Sequence, residues 1–249
     1  MIVDAAKFGW KPGDVLEISG KSDAVTADAF GKPNQPRDYH GRWGEGGHGA
    51  NDSLHGDAAY DHALESTPVL PAADQKPFSV YRGYGYTMIN GELRATRGNT
   101  SRIDDERLNG WIKTIDHAFT SNPNVKPLKK GIVVTRGMND VHTAFGSTDP
   151  AAIKGKVITD HGFVSTTTND EHTRDFMRVR GTKIPGHVTL NVPAKTKVIA
   201  ADKVVGATEA PYYDRSESEF EVILNRGTSM RVTNATMRDG IMEIEADVI

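Results

Sequence analysis

The spacing of apolar residues divides this chain into two regimes. Through the first 77 residues there is almost no repeat. Val15-Leu16-Glu17-Ile18 reads as one short strand, and the stretch GKPNQPRDYHGRWGEGGHGAND (31–52) has Gly, Pro and Asn where a period would be. Such a segment is expected to be irregular or extended, and ordered only against a partner. From about residue 78 the pattern becomes globular. YGYTMINGELRAT (84–96) sets Met88, Ile89 and Leu93 at helical spacing. TSRIDDERLNGWIKTIDHAFTSN (100–122) is a stronger helix, with Ile103, Leu108, Trp111, Ile112, Ile115 and Ala118 three or four apart. Asp104, Asp105 and Glu106 lie near its start, where the helix dipole favours them. Short strands follow at 131–137, 162–168, 187–192, 197–201, 220–225, 229–235 and 241–248, with one more helix over 169–179. Helices first and strands later predict an α+β fold with antiparallel sheets, not a doubly wound parallel sheet. The expected division is an irregular Gly/Pro-rich arm or linker over 1–77 and a folded domain over 78–249.

Composition supports that division. The first 77 residues hold 10 of the 25 glycines and 6 of the 12 prolines. They carry seven Lys and Arg against 12 Asp and Glu, a net −5, and the remainder is +2. The whole chain, at −3, lacks the basic footprint of a nucleic-acid binder. It has no cysteine, which excludes disulfides, zinc-thiolate sites and thiol nucleophiles. No run of 18 apolar residues is present, so no membrane span is expected. The first 20 residues lack a basic start and an apolar core, so they do not read as a secretory signal.

Three stretches bear candidate chemistry. In RSESEFEVILNRGT (215–228), Glu217, Glu219 and Glu221 alternate along what reads as one strand face. A solvated acidic edge is one reading. The other starts from Glu221, which directly precedes Val222-Ile223-Leu224, so that its carboxylate meets the core and needs a donor or a cationic ligand. Paired carboxylates suit cleavage of a glycosidic bond through a cationic sugar. In VVTRG (133–137), Arg136 ends an apolar run at the rim of the sheet, fit either to clamp a phosphate or to make a structural ion pair. In GFVSTTT (162–168), Ser165, Thr166 and Thr167 offer hydroxyls to a carboxylate or to a backbone turn.

Taken in order, an Arg ending one strand, an apolar-Ser-Thr-Thr strand and a Glu-x-Glu entering a late strand resemble the ADP-ribosyltransferase toxin family. The likeness is to its arginine-specific branch, typified by the enzymatic components of clostridial binary toxins. It covers roughly 78–249. YRGYGYTMINGELR (81–94) resembles the family's first-helix pattern through Tyr81, Tyr86, Ile89, Asn90, Leu93 and Arg94. KGKVITDHGFVSTT (154–167) resembles the lead-in to its Ser-Thr-Ser strand, and ILNRGTSMRV (223–232) the strand pair after its glutamates.

This resemblance implies N-terminal helices packed on two antiparallel sheets, and NAD as substrate without a metal. It implies that Arg136 holds the NAD phosphates, Ser165 orients Glu221, and Glu221 stabilises the oxocarbenium formed as nicotinamide leaves. Glu219 would activate the incoming side chain and select arginine on a protein target. Tyr86, Asn90 and Arg94 would line the NAD site, with Thr166 beside them and Phe163 near the nicotinamide. Arg174, or else Arg178, would touch a phosphate. Tyr212 and Tyr213, on the loop before the glutamates, would meet the protein target. Two positions depart from the family pattern: Thr167 stands where a Ser is usual, and Gly137 where some relatives have a second Arg. Glu217 has no implied role.

The same glutamates would also serve an NAD glycohydrolase with water as acceptor. His40, His48, His55 and His62 recur at spacings of eight, seven and seven, which a metal could exploit with Asp57 and Asp61, although chance in a polar segment explains them as well. QPRDYHGRW (35–43) resembles peptides of phage head proteins, which implies a virion partner through 1–77, or a virion module that keeps the fold without transfer. Action in a host cytoplasm after secreted or virion-borne delivery is the corresponding expectation.

Overall fold

The computed structural model describes residues 53–177, 181–205 and 219–249. Four helices come first. They are α1 (Gly56–Ser66), α2 (Ala72–Val80), α3 (Tyr86–Ala95) and α4 (Glu106–Thr120). The strands are β1 (Ile132–Met138), β2 (Val157–Asp160), β3 (Val164–Thr167), β4 (Gly186–Val192), β5 (Val198–Ala200), β6 (Glu221–Leu224), β7 (Thr228–Arg238) and β8 (Ile241–Val248). Three short helices fill the connections: α5 (Val141–Phe145), α6 (Pro150–Ile153) and α7 (Ala201–Val205).

The expected α+β architecture is present. Helix α4 forms where the period is clearest. Asp105 caps it by accepting from the Leu108 amide at 3.0 Å, and Leu108, Ile112, Ile115 and Phe119 bury one face. The eight strands run β2-β7-β8-β4-β1-β3-β6-β5. The antiparallel expectation holds for every pair except β4 with β8, which is parallel. The cause is the β7–β8 hairpin, closed by Asp239 and Gly240 with φ of 49° and 79°, the conformation an Asp-Gly turn supplies. The hairpin lays β8 alongside β4 in the same direction. Between β1 and β3 the ladder narrows to one Cα pair, Thr135 with Thr167. The eight strands are thus one continuous sheet where the resemblance implied two, divided into two groups joined at this seam. One core packs α1 against a sheet face that both groups share, through Ala59, Tyr60, Val134, Val188, Val198 and Val222, and the other packs α2, α3 and α4 over Phe163, Ile199 and Ile223.

Two expectations need correction. The division at residue 77 falls inside α2, and α1 belongs to the folded unit, with Ala59, Tyr60 and Ala63 buried and Leu54 bridged to Ile132. The period was hidden because α1 buries alanines, a histidine and one tyrosine in place of Leu, Ile or Val. The helix expected over 169–179 is of the 3-10 type and spans Asp170–Phe176, with 178 and 179 outside the described residues. The proposed strand at 15–18, the segment 31–52, His40 and His48 lie outside the described residues.

Candidate active site

The seam between the two strand groups gathers most of the sequence candidates. At its centre is Tyr81, which begins a kinked turn (81–85) between α2 and α3 and is buried. Its hydroxyl lies 2.9 Å from Ser165 Oγ on β3 and donates to the Phe163 carbonyl at 3.2 Å. Asn90 on α3 donates to the same hydroxyl at 3.1 Å. Burial and the nearby Glu221 charge push the Tyr81 phenol up to about 12.

Glu221 is the first residue of β6, paired with Thr167 across the ladder. It is 8 % exposed, and its Oε2 has no hydrogen-bond partner among the described residues. Burial pushes its carboxyl up to about 7. A hydrogen bond from Ser165 and the charge of Arg82 oppose the rise, and the charges of Glu219 and Asp202 add to it. Arg82 Nε stands 3.8 Å from Glu221 Oε2, while Arg82 Nη2 donates to Asp202 Oδ1 at 2.6 Å. Tyr60 donates its hydroxyl to Asp202 Oδ2.

The simple alternation of glutamates does not survive. The strand begins only at Glu221, and Phe220 has φ of 49°, in the left-handed region that a phenylalanine rarely adopts. Glu219 therefore sits outside the ladder, exposed, with its carboxylate still close enough to act on Glu221. Contacts on both sides hold the turn. Thr167 Oγ1 donates to the Glu219 carbonyl at 2.7 Å, the Thr168 amide donates to the Phe220 carbonyl at 3.2 Å, and the Phe220 ring meets Tyr60 edge-on at 5.2 Å. Thr167, a departure from the family pattern, thus clamps the backbone beside the glutamates. Glu217 lies outside the described residues.

Two arginines meet at a second carboxylate. Arg94 on α3 grips Asp160, at the end of β2, with Nε and Nη2 at 2.8 and 2.9 Å. Arg136 on β1 adds Nη1 at 3.3 Å, and the Gly162 amide donates at 2.9 Å. Burial alone would push the Asp160 carboxyl up. The Arg94 hydrogen bonds and both arginine charges outweigh it and hold the carboxyl below its ordinary value. Arg136 and Glu221 both act on Tyr81, which places the tyrosine electrostatically between the arginine pair and the lone acid.

Three proposed NAD contacts are interior. Phe163 is fully buried, stacked on Phe119 and edge-on to Tyr81. Asn90 is buried and saturated by Tyr81 and by both backbone groups of Phe163. Thr166 points to the sheet face opposite Ser165 and donates to the Val222 carbonyl at 2.5 Å. All three are buried, with their polar bonds made inside the protein. Tyr86 is 38 % exposed at the start of α3, and Arg174 is exposed on the turn over Asp170–Phe176. That turn lies so close to β1 that a Cβ on Gly137 would come within 2.1 Å of the Thr173 carbonyl oxygen. A second arginine at 137 has no room while the turn keeps this position. Arg178, Tyr212 and Tyr213 lie outside the described residues.

Sequence reasoning left Arg82, Asp160, Asp202 and Tyr60 unassigned. Asp202 had a usable signal, since it follows the apolar run Val198–Ala201 just as Glu221 abuts Val222–Leu224. Asp160 follows Val157-Ile158-Thr159 and stands two residues before Gly162. His62, weighed as a metal ligand, accepts from the Lys129 and Lys130 amides through Nε2 at 3.1 Å, so it caps that loop. Among the described residues no three His, Asp or Glu side chains converge as metal ligands, and no helix is long and apolar enough to cross a membrane.

The chain belongs to the ADP-ribosyltransferase exoenzyme family, whose model matches residues 54–248. Solved structures share the fold. C3stau2 from S. aureus with NAD has TM-score 0.59 at 14% identity, over 80% of this chain and 99% of that one. The Vis toxin from Vibrio splendidus has 0.56 at 16%, over 89% and 90%. An ADP-ribosyltransferase from Clostridium botulinum has 0.53 at 20%, over 78% and 92%. No curated protein matches the chain in sequence. The family match stops short of 35–43, so it lends nothing to the phage-head likeness of that stretch.

Proposed function

We propose that this chain transfers ADP-ribose from NAD to an arginine side chain of a target protein and releases nicotinamide. The observation that carries the proposal is the pairing of a buried, under-bonded Glu221 with two guanidiniums at Asp160, both acting on Tyr81. NAD brings two phosphates and a cationic nicotinamide, so its site needs guanidinium at one end and carboxylate at the other. Arg136 and Arg94 would hold the phosphates. Glu221, oriented by Ser165 and Tyr81, would stabilise positive charge on the ribose as its C1′–N bond breaks. The bonding electrons leave with nicotinamide, and the acceptor nitrogen then forms its bond to C1′.

Arginine is the favoured acceptor because Glu219 stands two residues before Glu221, exposed beside it. A guanidinium needs an anionic partner and a proton acceptor before it can attack. The Vis toxin, similar in fold, has been solved in complex with agmatine, a guanidine-bearing amine. The family's exoenzyme description fits action on a host-cell protein after secretion.

The test is labelled NAD with a cell lysate, followed by mass spectrometry of the modified side chain. Glu219→Gln should abolish protein labelling and leave NAD hydrolysis within a few-fold of the wild type. Persistent labelling of arginine in that variant would overturn the acceptor assignment. Because Glu221 must be ionised, kcat/KM for NAD should fall as pH drops through about 7.

A further inference from the structure

Residues 81 and 82 both serve Glu221, by different routes. Tyr81 reaches it through Ser165, and Arg82 faces it directly at 3.8 Å. Arg82 is not free to close that gap, because Nη2 is fixed to Asp202 Oδ1 at 2.6 Å and Asp202 is itself held by Tyr60. The Arg82 and Asp202 side chains are only 15 % and 14 % exposed, so solvent screens this arrangement weakly.

We propose that Arg82, anchored by Asp202, is a positioning residue that keeps the Glu221 carboxylate charged and aimed while leaving its buried Oε2 without a hydrogen bond. The inference rests on the reading of Glu221 given above. A guanidinium in full contact would pair with Oε2 and neutralise the charge that a cationic ribose needs. With no guanidinium at all, the buried acid would hold its proton at neutral pH. Asp202 sets the middle course by holding the guanidinium one step back. The other charged or titratable groups acting on the acid are Glu219, just ahead of β6, and Tyr81, which Arg136 on β1 also influences.

The two members of the pair therefore act in opposite directions. Arg82→Gln should raise the Glu221 titration midpoint by about one pH unit. Asp202→Asn removes a neighbouring negative charge and releases Arg82 toward Oε2, so the midpoint should fall. Arg82→Lys should restore part of the loss. The measurement is carbon-13 NMR of the Glu221 carboxyl in the full-length chain without NAD, followed by the acidic limb of kcat/KM for NAD, which should move the same way. A loosened fold would not shift the midpoint in opposite directions for the two variants. Midpoints that stay at the wild-type value, or move in the same direction, overturn the proposal. If Arg82→Gln fails to fold, a folded Asp202→Asn whose midpoint does not fall overturns it alone. The NMR arm stands apart from turnover, so opposite shifts in the two variants, together with a wild-type chain that never cleaves NAD, would sink the enzyme reading instead.

Discussion

Glu221 and Asp160 are nearly equally buried, with side chains 10 % and 15 % exposed, yet their carboxyls are pushed in opposite directions. Asp160 takes two bonds from Arg94, one from Arg136 and one from a backbone amide. Glu221 has a serine and a guanidinium held off at 3.8 Å. Burial is thus common to both, and the supply of fixed donors decides the outcome. A carboxylate saturated by the protein organises the arginines around it. A carboxylate left short of donors retains its capacity for an incoming cation. Under the proposed function, the two acids mark the two ends of the NAD site.

The comparison breaks most sharply at Glu221. Glu221→Gln keeps the shape and removes the charge, so NAD cleavage should fall by roughly 100- to 1,000-fold. Stability should respond in the opposite sense. The folded carboxyl lies near 7 against an ordinary 4.5, so the native state binds more protons than the unfolded chain between those values. That contribution is fully present below about 4.5 and lost as pH rises through about 7, an amount of about 3 kcal/mol. Glu221→Gln should therefore melt higher than wild type at pH 8 and show no such advantage at pH 4. Thermal denaturation at the two pH values checks this. Equal differences at both would show that burial does not raise the Glu221 carboxyl.

The arginine end sharpens the same contrast with a smaller effect. Removing a charged donor to a phosphate costs about 1.5–3 kcal/mol. Arg136→Ala and Arg94→Ala should each weaken NAD binding by roughly ten- to a hundred-fold, measured by calorimetry on a Glu221→Gln background so that no substrate is consumed. In a chain that keeps Glu221, both variants should leave its midpoint within a few tenths of a unit, because the arginines and Glu221 act on Tyr81 from opposite sides. A large shift there would mean that the ends are one electrostatic unit and not two.

Much of this was legible in the sequence. Strands β1, β3, β4, β6, β7 and β8 follow runs of β-branched and apolar residues, and α4 follows a clear 3–4 period. Glu221 stood out because a charge abutted an apolar run. What stayed hidden has physical causes. Helix α1 buries small residues, so its period carries little hydrophobic contrast. Strand β2 lies at the sheet edge and alternates exposed with half-buried positions, so only Val157 and Ile158 mark it. The parallel β4–β8 pair depends on residues more than 50 apart, beyond any local pattern. Asn90, Phe163 and Thr166 are buried, and the polar groups of Asn90 and Thr166 bond within the protein. A residue list cannot tell a group that lines a site from one that braces its wall. Arg82 escaped notice for the converse reason, since its role exists only once Asp202 and Glu221 are brought together from 120 and 139 positions away in the chain.

The smallest expected effect concerns the wall between the two ends. Gly137 follows Arg136 on β1, and the turn over Asp170–Phe176 rests on it. An alanine there would bring its methyl carbon within 2.1 Å of the Thr173 carbonyl oxygen and about 3.0 Å of Phe176 Cβ. Backbone cannot yield as a flexible side chain would, so the turn must lift away from the strand. The cost should be about 1–3 kcal/mol of stability. His187 and Asp170 pair at 2.5 Å across the same contact, between β4 and the start of the turn, so lifting it should also disturb that pair. If Arg174 reaches a phosphate, Gly137→Ala should weaken NAD binding by a few-fold beyond any loss of stability, and Arg174→Ala should add nothing to it. If Arg174 stands apart from the site, the two substitutions should combine independently in a double-mutant cycle, with Gly137→Ala acting on stability alone.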